Sequence, residues 1–575
     1  MKRGRQIFLF CILLLFLAAL WLYWWRPVKV DMAAYVPADT LVYLEANDLP
    51  DIISGMAQTE AWRTLAPAAG LELNTERISW LSRLAARTGI GPAEAVVLSR
   101  AQLAVAVLSI EAADGGDSTL KIRPRIAVIV ETHTGERRTQ AAVEKLVGSF
   151  ARRAYGEPVI RQEESEGAKL TVWTAPGGER RIVAAILGSV AVIGNDAEAV
   201  RACLQVRRSQ RPSLAGNPQL EEIRGRVHRD EAAAFGYVSP AGTARILEVS
   251  TALYAGLISD NPQVQSLAAS LFLPLAKKLL GGVGWSTRFS GGRVEDTYFL
   301  SLQNGMAAQL REPLSSFSNT NNSATNLLPA GIYSLSRYNS RDPALAWRGL
   351  HLSLSSQADP MAAILISRYM DEILKPYGIE EPESFLRAIG QEIVTARLDD
   401  AGASTVTIVG VRDEKALRDF IARRLGPKPR SEHIGDAEIL ISRDETAGAA
   451  SFVDGQLLMG SAANVRRCLQ ARAEQRLLSS DETFRRAASL TATSDPANAV
   501  TFTDDERAAR SFLLAVMAQR SSRAGSINYG GIEKALASLP YAVSETRLVE
   551  GGFERKTRSS FGQFGTLAAQ FAVER

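Results

Sequence analysis

The stretch Val200-Arg201-Ala202-Cys203-Leu204-Gln205 returns 265 positions later as Val465-Arg466-Arg467-Cys468-Leu469-Gln470. The two stretches differ only at their third residue. A match of this kind within one chain indicates that one folding unit occurs twice. The repeat therefore decides the fold, because the structure of one copy is also the prediction for the other.

Further matches give the extent of the repeat. Ala61-Trp62-Arg63 corresponds to Ala346-Trp347-Arg348, and Gly291-Gly292 corresponds to Gly551-Gly552. The offset between the copies falls along the chain, as loop deletions in the second copy would produce. We predict two tandem homologous units with a linker and a tail: residues 36–302, linker 303–326, residues 327–567 and C-terminal tail 568–575.

The chain begins with a long apolar segment. Residues 7–25 carry no charge, and at about 1.5 Å per residue a helix of this length nearly matches a hydrocarbon core of about 30 Å. We predict a transmembrane anchor at 7–25, followed by a tether at 26–35. The aromatic residues at its end are predicted membrane-interface anchors: Trp21, Tyr23, Trp24 and Trp25. A cleaved signal peptide is the alternative.

Charges around this segment predict its orientation. Lys2, Arg3 and Arg5 precede it, and Arg26 and Lys29 follow it. The positive-inside rule places the tail at 1–6 in the cytoplasm. We therefore predict a single-pass protein of a bacterial inner membrane, with the bulk of the chain in the periplasm and the lipid bilayer as its first partner.

Apolar periodicity predicts an α+β fold with largely antiparallel sheets in both units. Composition agrees with folded domains, since 46% of the 575 residues are hydrophobic and 22% are charged. Asp196 and Ser461 are predicted helix N-caps, and the glycine pairs are predicted hairpin turns. The predicted strands include Ile126 to Glu131, Ile182 to Ile193 and Ala449 to Met459, and the predicted helices include Thr139 to Ala154, Ala197 to Val206 and Glu414 to Leu425.

The chain resembles a family of bacterial membrane-anchored proteins that is catalogued as a domain of unknown function with duplicated periplasmic units. The resemblance rests on Val36-Pro37-Ala38-Asp39-Thr40-Leu41-Val42-Tyr43-Leu44, and on a glycine followed by a helix at Gly194 and Gly460. It implies an anchored, duplicated architecture. It implies no activity, cofactor or site residue.

Motifs for catalysis and metal binding are absent from the sequence. The four histidines are scattered singly, and no HExxH, P-loop or GxSxG pattern occurs. Acidic residues cluster at Glu163-Glu164 with Glu166, at Asp399-Asp400 and at Asp504-Asp505, which we interpret as solvated turns. We expect no enzyme activity, no cofactor and no metal; a periplasmic hydrolase with paired carboxylates is the alternative.

Basic residues cluster after two predicted helices. Arg207-Arg208 with Arg211, and Arg423-Arg424 with Lys428 and Arg430, are explained by the helix dipole or by contact with anionic lipid headgroups. A net charge of +4 over the whole chain and an exported location argue against nucleic acid as a partner.

Two exported cysteines occupy the same place in their repeats. We predict that Cys203 and Cys468 are buried free thiols. The alternative is a disulfide across a pseudo-twofold axis, which would require Cα atoms within about 7 Å.

One apolar segment is a candidate contact surface. Residues 267–282 are dense in leucine, and we predict partner or lipid contact through four of them: Leu271, Phe272, Leu275 and Leu279. The alternative is a core helix of the first unit. Together these features predict a non-catalytic binding or scaffold protein, as an accessory subunit of an inner-membrane complex, or as a binder of lipid or another apolar ligand at a cleft between the units.

Overall fold

A computed structural model describes residues 29–70, 97, 101–114, 120–178, 180–258, 273–316, 323–358, 360–372, 379, 381–400, 404–444, 448–491, 496–518, 528–563 and 565–566. The predicted anchor at 7–25, the predicted cytoplasmic tail at 1–6 and the predicted C-terminal tail at 568–575 lie outside these residues. Within the described ranges, no helix has both the length and the apolar character needed to cross a bilayer.

Runs of strands are interspersed with helices along the chain. The strands are β1 Val42–Ala46, β2 Gln102–Asp114, β3 Leu120–Glu131, β4 Val159–Ser165, β5 Ala168–Thr174, β6 Arg181–Leu187, β7 Val190–Gly194, β8 Ala234–Val238, β9 Leu280–Ser290, β10 Arg293–Leu302, β11 Ser334–Asn339, β12 Ile389–Arg397, β13 Thr405–Val411, β14 Arg430–Ile434, β15 Ala437–Ile441, β16 Ala449–Val453, β17 Gln456–Gly460, β18 Ala499–Thr503, β19 Ala542–Val549 and β20 Gly552–Ser559. The helices are α1 Leu49–Ala57, α2 Glu60–Ala68, α3 Glu136–Tyr155, α4 Ala197–Arg207, α5 Pro218–Arg226, α6 Pro240–Ile258, α7 Met306–Arg311, α8 Pro343–Gln357, α9 Pro360–Glu372, α10 Pro382–Ala388, α11 Glu414–Leu425, α12 Ala462–Ala473, α13 Glu482–Ala488, α14 Glu506–Ala518 and α15 Tyr529–Ala537.

The chain divides into two compact units. Unit A holds the described residues of 1–51, 76–109 and 124–217, and unit B holds those of 52–75, 110–123 and 218–575. This division differs from the predicted repeats, whose boundaries stay a prediction. The mixed helix and sheet content and the antiparallel pairing are confirmed.

Unit A contains a sheet with the spatial order β1-β2-β3-β7-β6-β5-β4, to which β2 contributes residues 102–109 and β3 contributes residues 124–131. The ladders of β1 with β2, of β3 with β7, and along the run from β7 to β4 are antiparallel. Helix α3 covers one face, because Val143, Val147 and Ala151 recur every four residues and form one apolar stripe. This stripe packs against Trp173, Ala184 and Ala191 of the sheet.

Unit B contains a longer antiparallel sheet, in the order β8-β9-β10-β20-β19-β18-β11-β12-β13-β17-β16-β15-β14. Alternate residues of its strands face opposite sides. Ile408 belongs to a core that includes Val465 and Leu469 of α12. Its neighbour Val409 belongs to a core on the other side with Leu417 of α11.

The same order of elements occurs along both predicted repeats. Four strands, a helix, a short 3-10 helix and a second helix follow one another as β4 to β7, α4, Leu214–Gly216 and α5, and again as β14 to β17, α12, Leu478–Ser480 and α13. Asp196 caps α4 through an N–H of Glu198, and Ser461 caps α12 through an N–H of Asn464. Both predicted caps are confirmed.

Within unit B, the last strands of the two predicted repeats pair with each other. Strand β10 follows the two-residue turn Gly291-Gly292, and β20 follows the turn Glu550-Gly551. The first residues of the two strands, Arg293 and Gly552, are therefore 259 positions apart, whereas the predicted match of Gly292 with Gly552 uses an offset of 260. At this offset Thr297 is equivalent to Lys556, and these residues lie directly opposite in the β10–β20 ladder. Antiparallel pairing of equivalent strands produces a local twofold axis at this pair.

Candidate functional site

The predicted site residues fall into two groups. Trp21, Tyr23, Trp24 and Trp25 lie outside the described residues, as do Leu271 and Phe272. Leu279 is buried, and Leu275 is half-buried against the same cluster, which includes Met306 and Leu310. This packing is what the core-helix alternative requires for Leu275 and Leu279, and partner contact through Leu271 and Phe272 stays a prediction.

The acidic clusters have different environments. Asp399 and Asp400 are exposed, as are Glu163 and Glu164 on β4, and these agree with solvated positions. The interpretation of Asp505 as a solvated residue is wrong, because it is only 6% exposed. Its carboxylate Oδ2 accepts a hydrogen bond from the backbone N–H of Ser560 at 2.6 Å, which draws it into the interior.

Asp505 and a second buried carboxylate, Asp296, line a cavity of about 340 Å³ in unit B. We call it the axial cavity because it lies over the β10–β20 ladder at the local twofold axis. Alternate residues of β10 line one side of it, and alternate residues of β20 line the other side. Its lining consists of Asp296, Tyr298, Asp505, Ala508, Arg555, Thr557, Ser559, Phe561, Gly562, Gln563, Gly565 and Thr566.

Strand register explains why these side chains converge. Asp296 pairs with Thr557 and Tyr298 pairs with Arg555 across the ladder, so all four residues lie on one face of the sheet. Glu295 and Arg558 form the neighbouring pair beyond Asp296 and Thr557, on the opposite face, where they make an ion pair of 2.9 Å. The axial cavity opens on the face that carries Asp296 and Arg555. Among the described residues, these two form no such ion pair.

Asp296 is held by three donors. Its Oδ1 accepts hydrogen bonds from the Thr287 hydroxyl and from the Trp285 indole N–H, the latter at 3.0 Å. Its Oδ2 accepts one from the backbone N–H of Gln563 at 2.8 Å. Among the described residues Asp296 forms no ion pair, and it is 1% exposed. Oδ2 has one donor and keeps a lone pair for a further partner.

Burial sets the electrostatics of both carboxylates. Burial raises the pKa of Asp296, and the hydrogen bonds from Thr287, Gln563 and Trp285 only partly oppose it. Burial also raises the pKa of Asp505, against the hydrogen bonds from Ser560 and the attraction of the Arg293 cation. Arg293 is itself buried, which lowers the pKa of its guanidinium. The charge of Asp505 thus has a compensating cation nearby, whereas Asp296 has hydrogen bonds alone.

The opposite wall of the axial cavity carries a cation. The Nη2 of Arg555 donates to the Ser544 hydroxyl at 3.0 Å. Within the described part of the chain Arg555 forms no ion pair. At the structural offset of 259, Arg555 is the residue equivalent to Asp296. The local twofold axis therefore relates an acidic wall to a basic wall.

Two further polar groups border the axial cavity. The Tyr298 hydroxyl donates to Gln563 Oε1 at 3.2 Å, and burial followed by the Asp296 charge raises the pKa of Tyr298. The described residues contain no group of three or more His, Cys, Asp or Glu side chains that could hold a metal ion. The arrangement can bind a small polar molecule through opposite charges on its two walls.

Sequence reasoning missed Asp296 and Arg555. Each lies in a strand among other charged residues, in Val294-Glu295-Asp296-Thr297 and Phe553-Glu554-Arg555-Lys556. A usable signal existed in the predicted duplication, because these corresponding positions differ in charge. The match of Thr287-Arg288 with Thr546-Arg547 gives the offset of 259 that this comparison requires.

Comparisons with known proteins give little. No protein-family model matches the chain, and no curated protein matches it significantly. One solved structure, described as "Structure of crystal form I of TP0453", matches at 12% identity, with 52% of this chain and 85% of that chain covered and a TM-score of 0.21. A superposition this poor carries no argument about fold or function.

Proposed function

We propose that the chain is a non-catalytic, membrane-anchored binding protein of the bacterial periplasm whose axial cavity binds a small zwitterion, a molecule with one cationic and one anionic group. The observation that carries this proposal is the presence of Asp296 and Arg555 in one cavity, each without an ion-pair partner among the described residues. A ligand ammonium would face Asp296, and a ligand carboxylate would face Arg555.

Charge and size both support this ligand class. A buried carboxylate without a counter-ion is unfavourable, and a cation placed beside it offsets part of that cost. A cavity of about 340 Å³ is at the lower end of the range of small-molecule sites, about 300 to 1,000 Å³. An amino acid or a dipeptide has the size and the charge separation that these two walls require.

The test is a titration of the purified full chain with amino acids and with analogues that lack one charge. We expect the zwitterion to bind at least tenfold more tightly than the matching amine or carboxylate, as measured by calorimetry. Asp296→Asn and Arg555→Gln should each weaken zwitterion binding by about tenfold or more, because each removes one charged contact.

Lys556→Gln is the matched control, since Lys556 is adjacent to Arg555 but lies on the opposite face of β20. It should leave binding unchanged. Equal affinity for the zwitterion and its singly charged analogues would disprove the proposed ligand class. Asp296→Asn replaces one acceptor by a donor near the Gln563 N–H, so the thermal midpoint of this variant is measured too. If Asp296→Asn unfolds the protein, the zwitterion affinity of Arg555→Gln tests the proposal instead.

A carboxylate hydrolase is the second candidate function, because Asp296 and Asp505 come from different elements and line the same cavity. We favour binding, since both oxygens of Asp296 accept hydrogen bonds and Asp505 is engaged by Ser560. A hydrolase would turn over ester, amide or glycoside substrates, and Asp505→Asn would abolish turnover. Absence of turnover with intact zwitterion binding would support the binding function.

The anchored location needs its own test. Protease added to spheroplasts should cleave the chain beyond residue 35, whereas the same protease added to intact cells should not. Recovery of the chain in the cytosolic fraction would disprove the location. A stoichiometric partner that copurifies in mild detergent would favour the accessory-subunit version of the function.

A further inference from the structure

A second cavity, in unit A, has a volume of about 630 Å³. We call it the tether-side cavity because residues of the predicted tether, 26–35, form one wall. The opposite wall is the end of α4 and the segment after it. Its lining consists of Val30, Asp31, Ala34, Tyr35, Val206, Arg207, Ser209, Gln210, Arg211, Pro212 and Ser213.

Arg207 is the unpaired cation of this cavity. Its guanidinium lies 5.6 Å from the centroid of the Tyr35 ring, and it forms no ion pair with any described residue. The Tyr35 hydroxyl donates to Glu131 Oε2 at 3.2 Å, which fixes the ring beneath the guanidinium. Stacking on a ring orients a guanidinium and leaves its donors available.

The equivalent position in the second predicted repeat is arranged differently. Arg472 corresponds to Arg207 at the offset of 265, and it forms ion pairs with Asp436 at 2.5 Å and Asp454 at 3.1 Å. These aspartates lie in the turns before β15 and after β16. The same places in the turns before β5 and after β6 hold Gly167 and Gly188. The first repeat thus has the cation without its two counter-ions.

Two other charged side chains, Asp31 and Arg211, line the tether-side cavity. Asp31 accepts a hydrogen bond from the Ala33 N–H at 3.0 Å as the cap of the 3-10 helix Met32–Tyr35. Arg211 pairs with Asp39 at 2.6 Å, and 69% of the Asp39 side chain is exposed. An exposed pair of this kind is weak, so Arg211 could turn toward an anion. Ser209 and Ser213 add hydroxyl donors.

The position of the tether-side cavity along the chain indicates which anion is near it. The predicted anchor ends at Trp25 and the cavity wall begins at Val30. Five residues span at most about 18 Å, so the cavity lies within about one headgroup layer and a short gap of the bilayer. Anionic headgroups are concentrated at that surface.

We infer that the tether-side cavity binds the phosphate of an anionic lipid headgroup through Arg207, with Arg211 as a second cation. This inference depends on the predicted anchor and is independent of the axial cavity. It would hold the body of unit A against the membrane at a preferred orientation, in addition to the covalent tether.

Native mass spectrometry of the full chain in mild detergent tests the inference. The protein is titrated with phosphatidylglycerol and, separately, with phosphatidylcholine. We expect selective retention of phosphatidylglycerol, and a reduction of about fivefold in its apparent affinity in Arg207→Gln, from the loss of one cation near anionic lipid. Arg472→Gln, the matched control from the second repeat, should bind phosphatidylglycerol like the wild type.

The outcomes separate the sources of phosphate. An unchanged affinity in Arg207→Gln, or an equal loss in Arg472→Gln, would overturn the inference. Competition by soluble glycerol phosphate at a concentration equal to that of the lipid would show a site for free phosphate and would also overturn it. Arg211→Gln serves as a second variant, with a smaller expected loss because its contact with Asp39 competes. Thermal midpoints confirm that each variant is folded.

Discussion

Thr297 of β10 lies directly opposite Lys556 of β20, and the two residues occupy equivalent places in the predicted repeats. Backbone hydrogen bonds therefore join the last strands of the two predicted copies within unit B. An antiparallel ladder accepts this arrangement because its two strands are related by rotation through half a turn. The axial cavity lies over this ladder, where side chains of both predicted copies meet.

The ladder tolerates no side chain at Gly552. A Cβ atom there would lie 2.0 Å from the Leu300 carbonyl oxygen of β10. We expect Gly552→Ala to lower the free energy of unfolding by about 3 kcal/mol, because backbone must move to relieve the overlap. Gly225→Ala is the control: its Cβ meets no atom within 4 Å in α5, and it should raise stability by about 0.5 to 1 kcal/mol. Similar stabilities of both variants in urea would contradict the packing of the ladder.

Asp505 should make stability depend on pH. Its folded-state pKa is raised by burial, so the folded protein binds this proton more tightly than the unfolded chain does. The stability that protonated Asp505 contributes is therefore fully present below the pKa of about 3.9 in the unfolded chain. It is lost as pH rises through the pKa of Asp505 in the folded protein. We expect Asp505→Asn to gain stability relative to the wild type as pH increases from 4 to 8, as measured by urea unfolding. The exposed Asp400→Asn serves as control, and a relative gain toward low pH would refute the assignment.

Both described cysteines should be inert in the folded protein. Cys203 and Cys468 are free and buried, and burial raises the pKa of each thiol to about 12. A thiol reacts through its thiolate, so alkylation at pH 8 should leave both unmodified. Peptide mapping by mass spectrometry should find them labelled only after unfolding in guanidinium. A disulfide-linked peptide would restore the alternative of a bridge between the two repeats.

The ion pairs of Arg472 should contribute modestly to stability. Its partners Asp436 and Asp454 are mostly exposed, so solvent screens both contacts. We expect Arg472→Gln to lower the free energy of unfolding by about 1 kcal/mol, and Arg207→Gln, at the equivalent position without ion pairs, to change it by less than about 0.5 kcal/mol. The difference should shrink in 1 M NaCl. A larger loss in Arg207→Gln than in Arg472→Gln would contradict the contrast between the repeats.

Hydrophobic periodicity predicted which helices and strands occur better than it predicted where they begin and end. Helix α11 spans Glu414–Leu425 as predicted, because its apolar residues recur at helical spacing and Asp413 caps it. The strand predicted from Ile182 to Ile193 is two strands, β6 and β7, and the strand predicted from Ala449 to Met459 is β16 and β17. Each pair is divided by a tight turn, at Gly188 and at Asp454-Gly455, where φ is positive. Apolar residues continue across both turns, so hydropathy alone hides them.

The axial cavity shows what a linear pattern leaves open. Asp504-Asp505 has the appearance of a solvated pair, yet Asp505 is buried because a distant N–H, that of Ser560, binds its carboxylate. The partners of Asp296 are equally distant along the chain, at Trp285 and Gln563. Such contacts depend on which strands pair and at what register.

The amino-acid sequence by itself determined the antiparallel α+β character, the two helix caps and the buried environment of Cys203 and Cys468, since periodicity and composition act locally. Only the tertiary structure decided that β10 pairs with β20 and that Asp296 and Arg555 lie in one cavity. The physical reason is that strand pairing exchanges backbone hydrogen bonds that every residue offers, so the choice of partner depends on packing of the whole sheet.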